Sequence, residues 1–148
     1  MSSNLEIPFF EDVNVGQALP PLTKPPITHV QLVRYAGASG DFNPLHTDPE
    51  VGKAAGIGGI IAHGMLIMGF VGHMVSDYLC GPGALREFRV RFKRMTRIGD
   101  RITCSGTITR KWEENGQGFI EAEVFAADQS LDVKVLGTFT AALPSRQG

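Results

Sequence analysis

The spacing of apolar residues changes once along this chain, from helical to alternating. Residues 62–80 are apolar nearly all the way round: Met65, Leu66, Ile67, Met68, Phe70, Val71, Met74, Val75, Tyr78 and Leu79. The run predicts a helix of about five turns. A helix without a polar face is expected to be buried on every side. Gly64, Gly69 and Gly72 each weaken such a helix by about 1 kcal/mol relative to Ala, so something is expected to pack close to its backbone. Cys80-Gly81-Pro82-Gly83 ends it. Phe88, Val90 and Phe92 then alternate with Arg89, Arg91 and Lys93, the period of a half-buried strand. Gly99-Asp100 is a turn. Ile102, Cys104, Gly106 and Ile108 share one side of the next strand. Residues 113–118 form a hairpin tip, and residues 119–126 and 133–142 complete the set around a turn at Asp128-Gln129-Ser130.

Upstream, residues 1–18 read as an N-terminal arm and residues 19–26 as a Pro-rich extended piece, because each proline restricts the residue before it. Thr28 is placed to cap a helix in which Val30, Val33, Ala36 and Gly37 follow at helical spacing up to Gly40. Residues 40–46 form a loop, signalled by Gly, Asp and Asn-Pro. Asp48, with Pro49 behind it, starts a short second helix that ends at Gly56. The whole chain, residues 1–148, predicts one α+β domain. A long buried helix (62–80) lies across one face of a curved antiparallel sheet drawn from residues 86–142.

Composition narrows the class. A chain of 148 residues suits one domain, able to bury roughly two thirds of its unfolded surface. With 43% hydrophobic and 20% charged residues, a packed core is expected rather than disorder. A net charge of −1 argues against a nucleic-acid partner, whose footprint is basic. Cys80 and Cys104 stand alone and are expected to be reduced thiols in a cytoplasmic protein. The first residues carry acids and no basic segment, unlike a secretory signal. The apolar run 60–75 is interrupted by His63 and His73 and is too short for a membrane span.

The candidate chemistry lies between Tyr35 and Gly69. Asp41 and His46 stand five residues apart in a loop shaped by Gly40 and Pro44. Imidazole titrates near neutrality, and a carboxylate beside it can share a bound water, so the pair suits acid–base work. The same spacing also fits an Asx-turn at Asp41 and a surface imidazole. His63-Gly64 stands where the apolar helix begins. A first-turn amide has no intrahelical acceptor, and Gly lets a carbonyl approach it, as in an oxyanion site. A packing glycine is the plainer alternative. No histidine pair has metal-ligand spacing such as H-E-x-x-H, so no metal is expected.

Together these residues closely resemble the hydratase motif of the MaoC-like family, which contains (R)-specific enoyl-CoA hydratases and related 3-hydroxyacyl dehydratases. The matching residues are Tyr35, Gly40-Asp41-Phe42-Asn43-Pro44-Leu45-His46 and Ala62-His63-Gly64-Met65. Residues 88–100 look like the strand and turn that follow the family's central helix. The resemblance implies the hot-dog fold and a dimer, with a homodimer favoured and a heterodimer open. It also implies catalytic Asp41 and His46, with Gly64, His63 and Asn43 at the oxyanion and substrate-binding positions. The substrate would be an acyl thioester of coenzyme A or of acyl carrier protein, with no cofactor. On that view Arg89, Arg91 and Lys93, placed on one strand face by their alternation, are either solvated or a docking patch for phosphates or an acidic carrier protein. Gly72 departs from the pattern: some members carry there a serine that supports the aspartate, so Asp41 needs another donor. A hot-dog thioesterase and a non-catalytic partner subunit are the competing functions.

Overall fold

The structure, a computed structural model, describes residues 5–147, so the first four residues of the N-terminal arm lie outside it. After a 3-10 turn at Phe10–Asp12, the chain forms β1 (Leu22–Thr23), α1 (His29–Ser39) and a second 3-10 turn at Pro44–His46. Next come α2 (Pro49–Ala54), α3 (Gly64–Leu79), β2 (Ala84–Phe92), β3 (Thr103–Glu114), β4 (Gln117–Ala127) and β5 (Val133–Leu143). All strand pairs are antiparallel, in the order β1-β3-β4-β5-β2.

The consecutive run of strands expected from the sequence holds for β3, β4 and β5. β2 does not pair with β3; it lies at the far edge, against β5. Residues 93–102 carry the chain back across the sheet, pinned by the Lys93 N–H on the Lys134 carbonyl and an Ile61–Arg97 bridge. The expected hairpin tip narrows to Asn115-Gly116, both with positive φ (52° and 78°), the geometry of a two-residue turn that matches strand twist.

The core is the space between α3 and the sheet. Ile120, Ala122, Val124 and Ala126 of β4 alternate inward with no exposed surface. Ile67, Phe70, Val71, Met74, Val75 and Leu79 of α3 face them. The opposite side of α3 is open, so the helix is buried on one face and not on every side. Met65 is 57% exposed. Two of the three glycines do receive a neighbour: an added Cβ at Gly64 would meet the Phe92 ring at 3.0 Å, and one at Gly72 would meet Phe88 at 3.6 Å. Gly69 faces open space. As an edge strand, β2 leaves Phe92 exposed while Phe88 and Val90 are half-buried.

Thr28 caps α1 in a full capping box with Gln31. The buried face of α1 is Leu32 and Ala36, one turn apart, whereas Val30 and Val33 point outward. Both cysteines are free thiols. Burial pushes the Cys104 thiol up to about 12, so it stays protonated at neutral pH. No described helix is long and apolar enough to cross a membrane.

One charged group is buried where the β4–β5 connection closes. The Lys134 ammonium lies 2.9 Å from Asp132, 3.3 Å from Asp128 and 3.9 Å from Asp100. Burial pushes the Asp128 carboxyl up, but the N–H groups of Asp132 and Ser130 and the Lys134 ammonium outweigh it and hold it below its usual value. Its contribution is therefore complete above the unfolded carboxylate range and lost as pH falls through the folded value. Lys134→Met should cost about 3 kcal/mol at neutral pH, since it strands grouped carboxylates. Denaturant melts of both proteins should show the gap closing below about pH 4; a gap independent of pH would contradict this role.

Candidate active site

Local chemistry builds the site from the end of α1. Gly40, at φ 77°, takes the left-handed conformation that ends the helix and turns the chain. The Asn43 N–H then donates to Asp41 Oδ1 at 3.2 Å, and the Leu45 N–H donates to Asn43 Oδ1 at 3.0 Å. Pro44 fixes the first position of the 3-10 turn that delivers His46. The Asx-turn at Asp41 is present: Oδ1 orders the loop, and Oδ2 is left facing His46. That backbone N–H is also the donor that orients Asp41 without a serine at position 72.

His46 is oriented from its other side. Its Nδ1 lies 2.8 Å from the Ile61 carbonyl oxygen. A carbonyl only accepts, so Nδ1 carries the proton and Nε2 presents a lone pair. Nε2 lies 3.7 Å from Asp41 Oδ2, too far for a direct hydrogen bond and suited to two acceptors sharing one donor. The histidine side chain is 12% exposed and the aspartate 52%, so one is fixed and the other wet.

Gly64 is the first residue of α3, and among the described residues its N–H has no acceptor. It lines the same cavity as His46, about 660 Å³ in volume, together with Ile67, Phe92, Lys93 and Arg97. The structure therefore brings Asp41, His46, His63 and Gly64 together. The Asn43 side-chain oxygen accepts the Leu45 N–H and so helps to build the loop. The His63 ring is buried, with Nε2 3.2 Å from the Asp41 backbone carbonyl oxygen.

The basic residues separate. Lys93 lines the cavity, whereas Arg89 and Arg91 line a shallow depression beside Glu123 and Leu136, with Arg89 paired to Glu87. The expected single patch is split because β2 ends at Phe92 and the chain turns there. Arg94 and Arg97 line the cavity beside Lys93. The Ile61 carbonyl has no signal in the sequence, because any residue supplies one.

One donor atom from each of Asp41, His46 and His63 falls within 4.8 Å of the others. The two imidazoles are stacked, 3.8 Å apart and 24° from parallel.

A family model described as "MaoC like domain" matches residues 13–130. The chain belongs to the MaoC-like domain family. This MaoC-like chain is 35% identical over 109 residues to an (R)-specific enoyl-CoA hydratase of Rhodospirillum rubrum, covering 73% of this chain and 74% of that protein. It is 33% identical over 101 residues to a 3-hydroxybutyryl-CoA dehydratase of Methylorubrum extorquens, covering 68% of this chain and 63% of that one. Among solved structures, the R-hydratase of Pseudomonas aeruginosa superposes with a TM-score of 0.81 at 25% identity, over 93% of this chain and 86% of that chain. The fold is the hot-dog fold of the MaoC-like dehydratases. In this MaoC-like domain, Asn43→Ala should lower stability by about 1 kcal/mol, the usual cost of a lost cap. Chemical denaturation checks this; an unchanged midpoint would mean the loop is held by other contacts.

Proposed function

We propose that this chain catalyses the reversible syn addition of water to a 2-enoyl thioester, giving the (R)-3-hydroxyacyl product. The observation that carries the reading is the pair of acceptors, His46 Nε2 and Asp41 Oδ2, 3.7 Å apart beside an unoccupied helix N–H. A water bridging them can donate a hydrogen to each. The thioester carbonyl accepts the Gly64 N–H, which draws charge toward oxygen and makes Cβ electrophilic. As the water oxygen attacks Cβ, His46 Nε2 takes its proton. The proton is then passed back through the same pair to Cα on the same face. Dehydration is the reverse. The sequence moves a water and a proton, so it calls for no metal and no redox group.

Coenzyme A thioesters suit the cavity. Lys93 and Arg97 at its wall favour phosphates, while the buried Ile67 and Val135 suit a hydrocarbon chain. An acyl carrier protein thioester would present the same phosphate chemistry. A homodimer fits the exposed edge of β2, which leaves ladder groups unpaired beside Phe92; a second, different MaoC-like subunit could cover the same edge. We place the protein in the cytoplasm.

Crotonyl-CoA tests the reading. Loss of enone absorbance without thiol release is expected. Thiol release instead would assign a thioesterase, and no reaction would leave the partner-subunit role. His46→Ala and Asp41→Asn should each lower kcat by about 10²- to 10⁴-fold, the range for acid–base groups. Gly64→Ala should fold, because the Phe92 ring it would touch is half-exposed and can move. Its methyl would block the carbonyl, so turnover should fall with the melting temperature nearly unchanged. Near-normal turnover in all three variants would remove the mechanism.

A further inference from the structure

His63 is the one imidazole of the site that the reaction above does not use. It is 2% exposed. Three titratable groups face it. Tyr35 of α1 meets it edge-on, with centroids 4.7 Å apart and planes at 68°. His46 stacks on it at 3.8 Å. Asp41 offers its backbone carbonyl 3.2 Å from Nε2. That carbonyl only accepts, so the ring carries its proton on Nε2, and Nδ1 is a bare lone pair. Nδ1 is buried and has no hydrogen-bond partner among the described residues.

We propose that His63 is a positioning residue that stays neutral throughout turnover: its Nε2–H holds the Asp41 backbone, and its ring face supports His46 while His46 carries the proton in transit. The inference rests on the hydration reading above, but its first test does not. A second proton on His63 would sit on Nδ1, where no acceptor exists, on a charged ring stacked against the residue that must itself become charged. Buried unpaired donors and paired like charges are both costly. Burial lowers its proton affinity most, and the neighbouring His46 lowers it further; the hydrogen bond to the Asp41 backbone carbonyl and the charge of the Asp41 carboxylate only partly offset them. Two stacked imidazoles could otherwise share the proton taken from water. Here one of them is closed to it, so the proton stays on the atom that faces Asp41 and the substrate. The imidazolium of His46 then lies over a neutral π-face, a favourable arrangement for a cation.

The wild-type protein tests this by ¹⁵N NMR of its four histidines between about pH 5 and 8, the range in which an ordinary imidazole titrates. His63 should show one protonated Nε2 and one bare Nδ1 across the range. A second proton on His63 in the folded protein would overturn the proposal, whether or not the chain hydrates enoyl thioesters. Two variants then separate its two contacts. His63→Phe keeps a ring face and deletes the donor. It should lower kcat at least about tenfold, as the loss of a positioned hydrogen bond does, with KM nearly unchanged and the acid limb of the pH–rate profile in place. His63→Gln keeps an N–H and deletes the face. Its acid limb should move down by about half a pH unit, the size of a lost cation–π contact. Equal losses in both variants with no displaced limb would make His63 a packing residue only.

Discussion

A single hydrogen bond, from His46 Nδ1 to the Ile61 carbonyl, decides what the rest of the site can do. In the neutral ring it fixes the tautomer and leaves the Nε2 lone pair facing Asp41. In the other tautomer Nε2 would carry the proton and could not accept one from a water. The carbonyl is available because Ile61 sits just before α3, in a segment bridged to Arg97 and bonded through its own N–H to the Leu45 carbonyl. The two halves of the site, the loop at 41–46 and the start of α3, are thus tied to each other and to the 93–102 crossing.

The scaffold makes this arrangement rigid at one end and open at the other. One face of α3 is packed on the β3–β5 core, so the position of its first amide is set by the sheet. Toward the edge strand, Gly64 and Gly72 leave room for Phe92 and Phe88 to lie close. A larger residue at Gly64 would press on the Phe92 ring at the cavity wall. The glycines that weaken the helix as a helix are the ones that give it room to work, a local conflict of the kind functional sites carry.

Much of this was legible in the chain. The switch from helical to alternating spacing located α3 and the strands, Thr28, Gly40 and Asp48 marked helix ends, and residues 113–118 held the hairpin tip. Asp41, His46 and Gly64 were readable because each lies in a segment whose local turn chemistry dictates its geometry. The rest depends on contacts between distant segments. Apolar spacing on α1 picked out Val30, Val33, Ala36 and Gly37; of these Ala36 meets the core, together with Leu32, which the spacing did not pick out. The crossing of β2 to the far edge is not encoded in its own alternation, and so neither was the separation of Lys93 from Arg89 and Arg91. Motif alone did not show that Asn43 Oδ1 accepts the Leu45 N–H or that His63 Nε2 lies against the Asp41 backbone carbonyl.

A shared water makes a stereochemical demand that no other arrangement of these groups makes. If Asp41 and His46 handle one molecule on one face of the double bond, oxygen and hydrogen must add from the same side. Hydration of an enoyl thioester in D₂O, with the product's Cα–Cβ coupling read by NMR, measures this directly. The account requires deuterium at Cα syn to the new hydroxyl at Cβ. Deuterium on the opposite face, or scrambled between both, would contradict it.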